Sequence, residues 1–235
     1  MIGTIINVAL IIVGSVIGLL FKNKISDRLS GAVVKVLGLC VIGIGIMNMI
    51  GTKDLLCLII CMVIGTIIGE VIDIERRMES LAEILRVKLM KNRENGKFVE
   101  AFVSSTVLFC VGAMAINGSL EAGLNHNFSI LVSKGVIDGV TAITFAAALG
   151  IGVIFSSVPL FIYQGALTLL AQFVGPYLDA VVVTEMSAVG GAIIFGIGVN
   201  MLGLSENRIR VGNMLPAIFL PIGYLPLVSL ITRLF

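Results

Sequence analysis

The chain has little charge and almost no histidine. Of its 235 residues only 13% are Asp, Glu, Lys or Arg, and His126 is its one histidine. Charge that sparse cannot cover the surface of a soluble domain. A net charge of +2, gathered in a few clusters, also leaves no basic face for nucleic acid and no acidic partner to expect. The patterns that carry chemistry are missing as well: there is no HExxH, no cysteine and histidine pair and no phosphate-cradling loop. These absences point away from an enzyme, with no cofactor and no metal expected. Cys40, Cys57, Cys61 and Cys110 all lie inside apolar runs, where a free thiol packs as a small hydrophobe. The N-terminal MIGTIINVALIIVGSVIGLLF has neither a basic n-region nor an A-x-A site, so it reads as a retained first span.

What the chain does have is apolar surface. Hydrophobic residues make up 58% of it, and the mean hydropathy is +1.12. Runs long enough to cross about 30 Å of hydrocarbon follow one another nearly to the C-terminus. The fold class expected is therefore all-α: one polytopic membrane domain over 1–235 with about eight transmembrane helices. The spans fall at about 2–21, 32–51, 55–73, 98–117, 133–154, 158–175, 183–203 and 211–231. The cut between the fifth and sixth is set at Ser156, Ser157 and Pro159, because proline is best placed in a helix's first turn.

Positive charge arbitrates between seven spans and eight. The loop with Lys22, Lys24 and Arg28, the segment 74–97 and the SENRIR loop with Arg208 and Arg210 are basic. The alternate loops hold one basic residue, Lys53. With eight spans every basic loop is cytoplasmic and both termini lie outside, in a bacterial cytoplasmic (inner) membrane. Within 74–97, Met78, Leu81, Ile84, Leu85, Val87 and Leu89 among the charges fit an interfacial helix on anionic lipid.

One phrase occurs twice. IGIGIMNMIG closes the second span and FGIGVNMLGL closes the seventh, on opposite faces of the membrane. VGSVIGLL and YQGALTLL precede them at nearly the same separation, with Gly14 to Asn48 matching Gly165 to Asn200. The expectation is an inverted repeat: residues 1–73 and 158–235 are the two halves, and 98–157 supplies two linking helices. Such halves allow alternating access around a midplane site built from broken helices. Breaks are expected at Gly43, Gly45, Gly196 and Gly198, and at Pro216 and Pro221, with Pro226 kinking the last span further. Small residues such as Gly65, Gly69, Gly190 and Gly191 also let helices approach closely in lipid.

Polar side chains inside the spans nominate a site. Asn48 and Asn200 are expected to meet near the midplane where the second and seventh helices cross, with Asn213, Gln164 and Tyr163 lining the same cavity. Asn117 is a further amide, readable as glue between helices. Ionisable groups are costly in lipid and usually face a partner or a wet cavity. Asp138, Glu70 and Glu185 are the coupling candidates. Lys134 lies four residues before Asp138 on one helical face and is placed to pair with it. Glu185 also suits a plain end charge, and Glu70 a pairing with Arg76.

The segments FCVGAMAINGSLEAG, KGVIDG, FIYQGALTLLA, EMSAVGGAIIFGIGVNMLG and IRVGNMLPA together resemble the family called domain of unknown function 554. The resemblance spans nearly the whole chain and implies a small multi-pass protein of the bacterial cytoplasmic membrane. One departure is CVGAM, where relatives tend to read CVGPM. Two function classes stand: a secondary transporter or permease for a small solute or monovalent cation, and a non-transporting scaffold, sensor or accessory subunit. A homo-oligomer is compatible with both.

Overall fold

In hydrocarbon a backbone must satisfy its own hydrogen bonds, and an apolar chain does so by coiling. The computed structural model describes residues 1–22, 27–80, 84 and 95–234, and every regular element among them is helical. In order they are α1 (Ile2–Lys22), α2 (Asp27–Ile50), α3 (Leu55–Ile72), α4 (Asn95–Cys110), α5 (Ala113–Leu124) and α6 (Ser129–Leu149). There follow α7 (Gly152–Phe155), α8 (Ser157–Leu169), α9 (Ala171–Val174), a 3-10 turn (Gly175–Tyr177), α10 (Ala180–Leu202), a 3-10 segment (Val211–Phe219) and α11 (Pro221–Leu234). Residues 74–80 continue helically beyond α3. Most of the amphipathic surface segment expected over 74–97, including Leu81, Leu85, Val87 and Leu89, lies outside the described residues.

Among the described residues six helical segments, with α7 and α8 taken together as one, are long and apolar enough to cross a bilayer, and two bent pairs raise the number to as many as eight. The first pair, α4 with α5, bends by 57°; the second, the 3-10 segment with α11, bends by 42°.

The breaks are not all where glycine and proline suggest. The helices α2 and α10 run unbroken through Gly43, Gly45, Gly196 and Gly198, which corrects the expected breaks there. An intrahelical ladder needs no side chain, so glycine permits a break without causing one. The long apolar stretch divides into spans at Gly150, earlier than Ser156 and Ser157, where only a short turn at Ser156 separates α7 from α8. Gly150 has φ of +98°, which ends α6, while Pro159 sits early in α8. Gly112, with φ of +126°, separates α4 from α5. Pro221 opens α11, so the proline break does occur, and Pro216 lies within the 3-10 segment.

Lipid offers helices no hydrophobic reason to associate, so close packing of small residues must hold them. The pairs α1–α6, α2–α10 and α3 with the 3-10 segment are the most extensive contacts. A Cβ on Gly14 would lie 2.1 Å from the Gly139 carbonyl oxygen, and one on Gly18 2.2 Å from that of Ile143. Rising numbers in α1 thus meet rising numbers in α6, and these two helices are parallel. By the same test α4–α5 and α7–α8 are parallel: Gly152 meets Phe98, and Gly123 meets Thr168.

The α2–α10 pair is antiparallel and its contacts mirror each other. A Cβ on Gly45 would meet the Phe195 nitrogen at 2.6 Å and the Gly191 oxygen at 2.8 Å. One on Gly198 would meet the Ile42 nitrogen at 2.9 Å and the Gly38 oxygen at 2.8 Å. Gly38, Ile42 and Gly45 stand to Gly191, Phe195 and Gly198 at one constant separation in sequence. The third pair, also antiparallel, sets Gly65 on Ala217 and Gly69 on Asn213. Large apolar side chains instead point outward, among them Ile59, Val63, Ile67 and Val71 of α3.

Candidate functional site

The interior is where this bundle is polar. Asp138 is near the midpoint of α6, and Lys134 sits one turn before it. Both are almost fully buried, at 7% and 5% exposure, and they form an ion pair. A buried charge survives in a low-dielectric wall only with a partner and further hydrogen bonds. Those bonds come from elsewhere in the chain. Asn7 of α1 donates from Nδ2 to Asp138 Oδ2 at 3.1 Å and to Gln164 Oε1 of α8 at 3.3 Å. Glycine makes the contact possible: a Cβ on Gly135 would meet the Asn7 Cα at 3.0 Å, so α1 lies flat against α6.

Several polar atoms around this cluster have no protein partner among the described residues. They include Asn7 Oδ1, Gln164 Nε2, Thr4 Oγ1 and Thr168 Oγ1. Thr4 shares the Asn7 face of α1, and Thr168 shares the Gln164 face of α8. Leaving such groups bare in an apolar interior costs about 1–3 kcal/mol each, so the cluster is built to meet polar atoms.

A cavity of about 250 Å³ opens beside the pair. Lys134, Asp138, Ile137 and Thr141 of α6 line one side, and Ile44 and Asn48 of α2 another. The rest of the wall is the α4–α5 break, from Leu108 to Ala115.

The nominated residues therefore divide. Asp138, Gln164 and Asn48 come to the cluster or its cavity, and Tyr163 is half-buried beside Gln164 in α8. Asn200 does not join Asn48. Because α2 and α10 run antiparallel, Asn48 packs on Gly191, nine residues and roughly 13 Å along the helix from Asn200. Asn200 instead donates to the Ile209 carbonyl at 2.8 Å and accepts from the Ile209 N–H at 2.9 Å, closing the loop after α10. Asn213 accepts the Glu75 N–H at 2.7 Å, while Glu75 accepts the Gly212 N–H at 2.9 Å. Asn117 is exposed. Glu70 pairs with Arg210 at 2.9 Å, not with Arg76, and Asp73 holds the same guanidinium. Glu185 is fully buried and accepts from Thr52 Oγ1 at 2.5 Å, the Lys53 N–H at 2.6 Å and the Asp54 N–H at 3.2 Å. It ties α10 to the α2–α3 turn.

Sequence reasoning does not single out Asn7. The available signal was the one that marks Asn48: an amide inside an otherwise apolar run.

Glu75 lies beyond the membrane-spanning helices, and its titration has a defined sign. Burial pushes its carboxyl above the ordinary range, against the Gly212 N–H and the Arg208 charge, which pull it down. The folded state thus holds this proton to higher pH than the unfolded chain does. Its contribution to stability is full below the ordinary carboxylate range and is lost as pH rises through the raised value. Glu75→Gln, which keeps an acceptor for Gly212, is expected to lack that decline. Melting curves of parent and variant from pH 4 to 8 check it: a melting-temperature difference constant across pH would refute the assignment.

The family described as protein of unknown function DUF554 matches residues 2–225. The chain belongs to the DUF554 family. It is 29% identical over 225 residues to the uncharacterized membrane protein YdfK of Bacillus subtilis (strain 168), covering 94% of each chain. To the uncharacterized protein YqgA of Escherichia coli (strain K12) it is 30% identical over 222 residues, covering 93% of this chain and 94% of that one. No solved structure matches it. Membership with these relatives agrees with a membrane-embedded helical protein. The α4–α5 break also persists here although Ala113 follows Gly112 directly: the positive φ of Gly112 ends α4 by itself.

Proposed function

We propose that this DUF554 chain is a secondary transporter for a small solute, working by alternating access across the bacterial cytoplasmic membrane. In this reading each bent pair is one span, giving eight, and spans one to three and six to eight form an inverted repeat. The carrying observation is the mirrored packing of α2 on α10, in which the contacts of Gly45 with the Phe195 nitrogen and the Gly191 oxygen have counterparts at Gly198 in the Ile42 nitrogen and the Gly38 oxygen. Two halves related in this way have two related arrangements, one open to each side, and each is reached by rocking one half on the other. The buried Asp138, paired and hydrogen-bonded near the middle of α6, is the kind of intramembrane charge that marks a transport path. The reading contains no covalent chemistry. It keeps Asp138 as the coupling group and assigns Asn200, Asn213 and Glu185 to holding loops in place.

Sidedness tests the repeat. Single cysteines at Ser205 and at Tyr177, in a background whose four native cysteines are replaced, are expected to react with an impermeant maleimide from opposite faces of intact cells: Tyr177 from outside, Ser205 only after permeabilisation. Labelling of both from outside would sink the inverted repeat. Exchange of labelled solute by the chain in proteoliposomes tests transport itself, and a solute that binds but never crosses would favour the sensor reading instead.

A further inference from the structure

We propose that the cavity beside Lys134 and Asp138 binds a small zwitterion, specifically an α-amino acid with an apolar side chain. The inference deepens the transport reading and rests on it only for the claim that the bound molecule is cargo.

The cavity wall carries one ammonium and one carboxylate, already bonded to each other and buried. An anion that took Lys134 would strand Asp138, and a cation that took Asp138 would strand Lys134. Each stranded charge faces an apolar wall and is penalised heavily. A zwitterion avoids both penalties. Its carboxylate accepts from Lys134, its ammonium donates to Asp138, and the ion pair opens without leaving any charge unpaired. The two protein charges are adjacent, so the two ligand charges must be adjacent too, as on an α-amino acid.

The surroundings fit the rest of such a molecule. Asn7 still holds Asp138 when Lys134 swings away, because its amide bonds the carboxylate from the side of α1. The start of α5, at Gly112 and Met114, borders the cavity, and a helix N-terminus favours a carboxylate. Ile44, Leu108, Phe109, Val111 and Ile137 give the remaining wall an apolar character. At about 250 Å³ the cavity has room for about eight waters at ~30 Å³ each, enough to take an aliphatic amino acid such as valine or leucine with space to spare.

The test uses the purified full-length chain in detergent and follows melting temperature against concentration of leucine, of 3-methylbutylamine and of 4-methylpentanoate. The two analogues keep the side chain and carry one charge each. Leucine is expected to raise the melting temperature saturably, with an apparent Kd at least tenfold lower than either analogue. Lys134→Met combined with Asp138→Leu, neutral and similar in volume, is expected to abolish the response to leucine while still melting cooperatively. Equal binding of an analogue, a leucine response that survives the double substitution, or no response to leucine and valine would each overturn the proposal. The series on the unsubstituted protein decides the matter even if the double variant does not fold. Failure of transport is distinguishable: leucine binding without flux in proteoliposomes refutes the transporter and leaves the site, whereas flux of another solute, unaffected by leucine, does the reverse.

Discussion

Asp138→Leu is expected to destabilise the folded protein by about 3–5 kcal/mol and to abolish any solute response. The carboxylate is the only charge bonded to the Lys134 ammonium among the described residues, and both are buried. Removing one member of such a pair leaves an uncompensated charge in the interior, and that, more than the lost attraction, sets the magnitude. The physical account therefore predicts a rescue. Adding Lys134→Met to Asp138→Leu removes the stranded ammonium and is expected to restore most of the stability but none of the function. Denaturation in detergent for the two single variants and the double completes the cycle. Additive losses would mean that the two residues do not act as a pair. The Arg210 bridge to Glu70 and Asp73 supplies a contrast. Its side chains are about half exposed, and water solvates whatever remains, so Arg210→Ala is expected to change stability little.

The second large effect is steric. Gly69→Ala would place a Cβ 1.7 Å from the Asn213 carbonyl oxygen, and Gly14→Ala one 2.1 Å from that of Gly139. The obstacles are backbone atoms of a neighbouring helix or 3-10 segment, which cannot turn aside as a side chain end can. Overpacking of this kind costs about 1–3 kcal/mol and sometimes more. Both variants should purify with lower melting temperatures and a larger aggregated fraction. Gly43→Ala is the control, because a Cβ there meets nothing within 4 Å. Equal loss at Gly43 and Gly69 would show that glycine matters here for reasons other than close approach.

These two experiments address different layers of the structure, and the layers differ in how far they could be read from the chain. The helices were legible because bilayer thickness imposes a run length that few other constraints disturb. Spans 2–21, 32–51 and 55–73 match α1, α2 and α3 closely, and the seventh matches α10. The breaks were less legible. A glycine-rich run such as that around Gly196 and Gly198 is compatible with an intact helix or an interrupted one. The alternative is settled by the neighbour, which presses on Gly198 through Gly38 and Ile42. Gly112 and Gly150, by contrast, take positive φ with no flanking pattern that separates them from glycines left in helix.

The site divides along the same line. Lys134 and Asp138 are four apart on one helix, so local geometry alone pairs them. Asn7 reaches that pair from 131 residues before Asp138, and Gln164, 26 residues after it, bonds Asn7 in turn. No periodicity within either segment announces the meeting. The two helices that carry the repeated phrase do pack on each other, yet their antiparallel packing sends Asn48 and Asn200 to opposite ends of the contact. Which asparagine borders the cavity and which closes a loop depends on register, and register is a property of the pair.

Local chemistry along the chain was enough to set the lipid environment, the helical character of the spans and the in-helix ion pair, because hydrophobic run length and the 3.6-residue turn act locally. Where the helices break, which amide holds Asp138 and what lines the cavity were settled by packing between distant segments. Those outcomes depend on backbones approaching to within van der Waals contact across glycines far apart in the chain, and lipid supplies no burial gradient that would write such contacts into a local pattern.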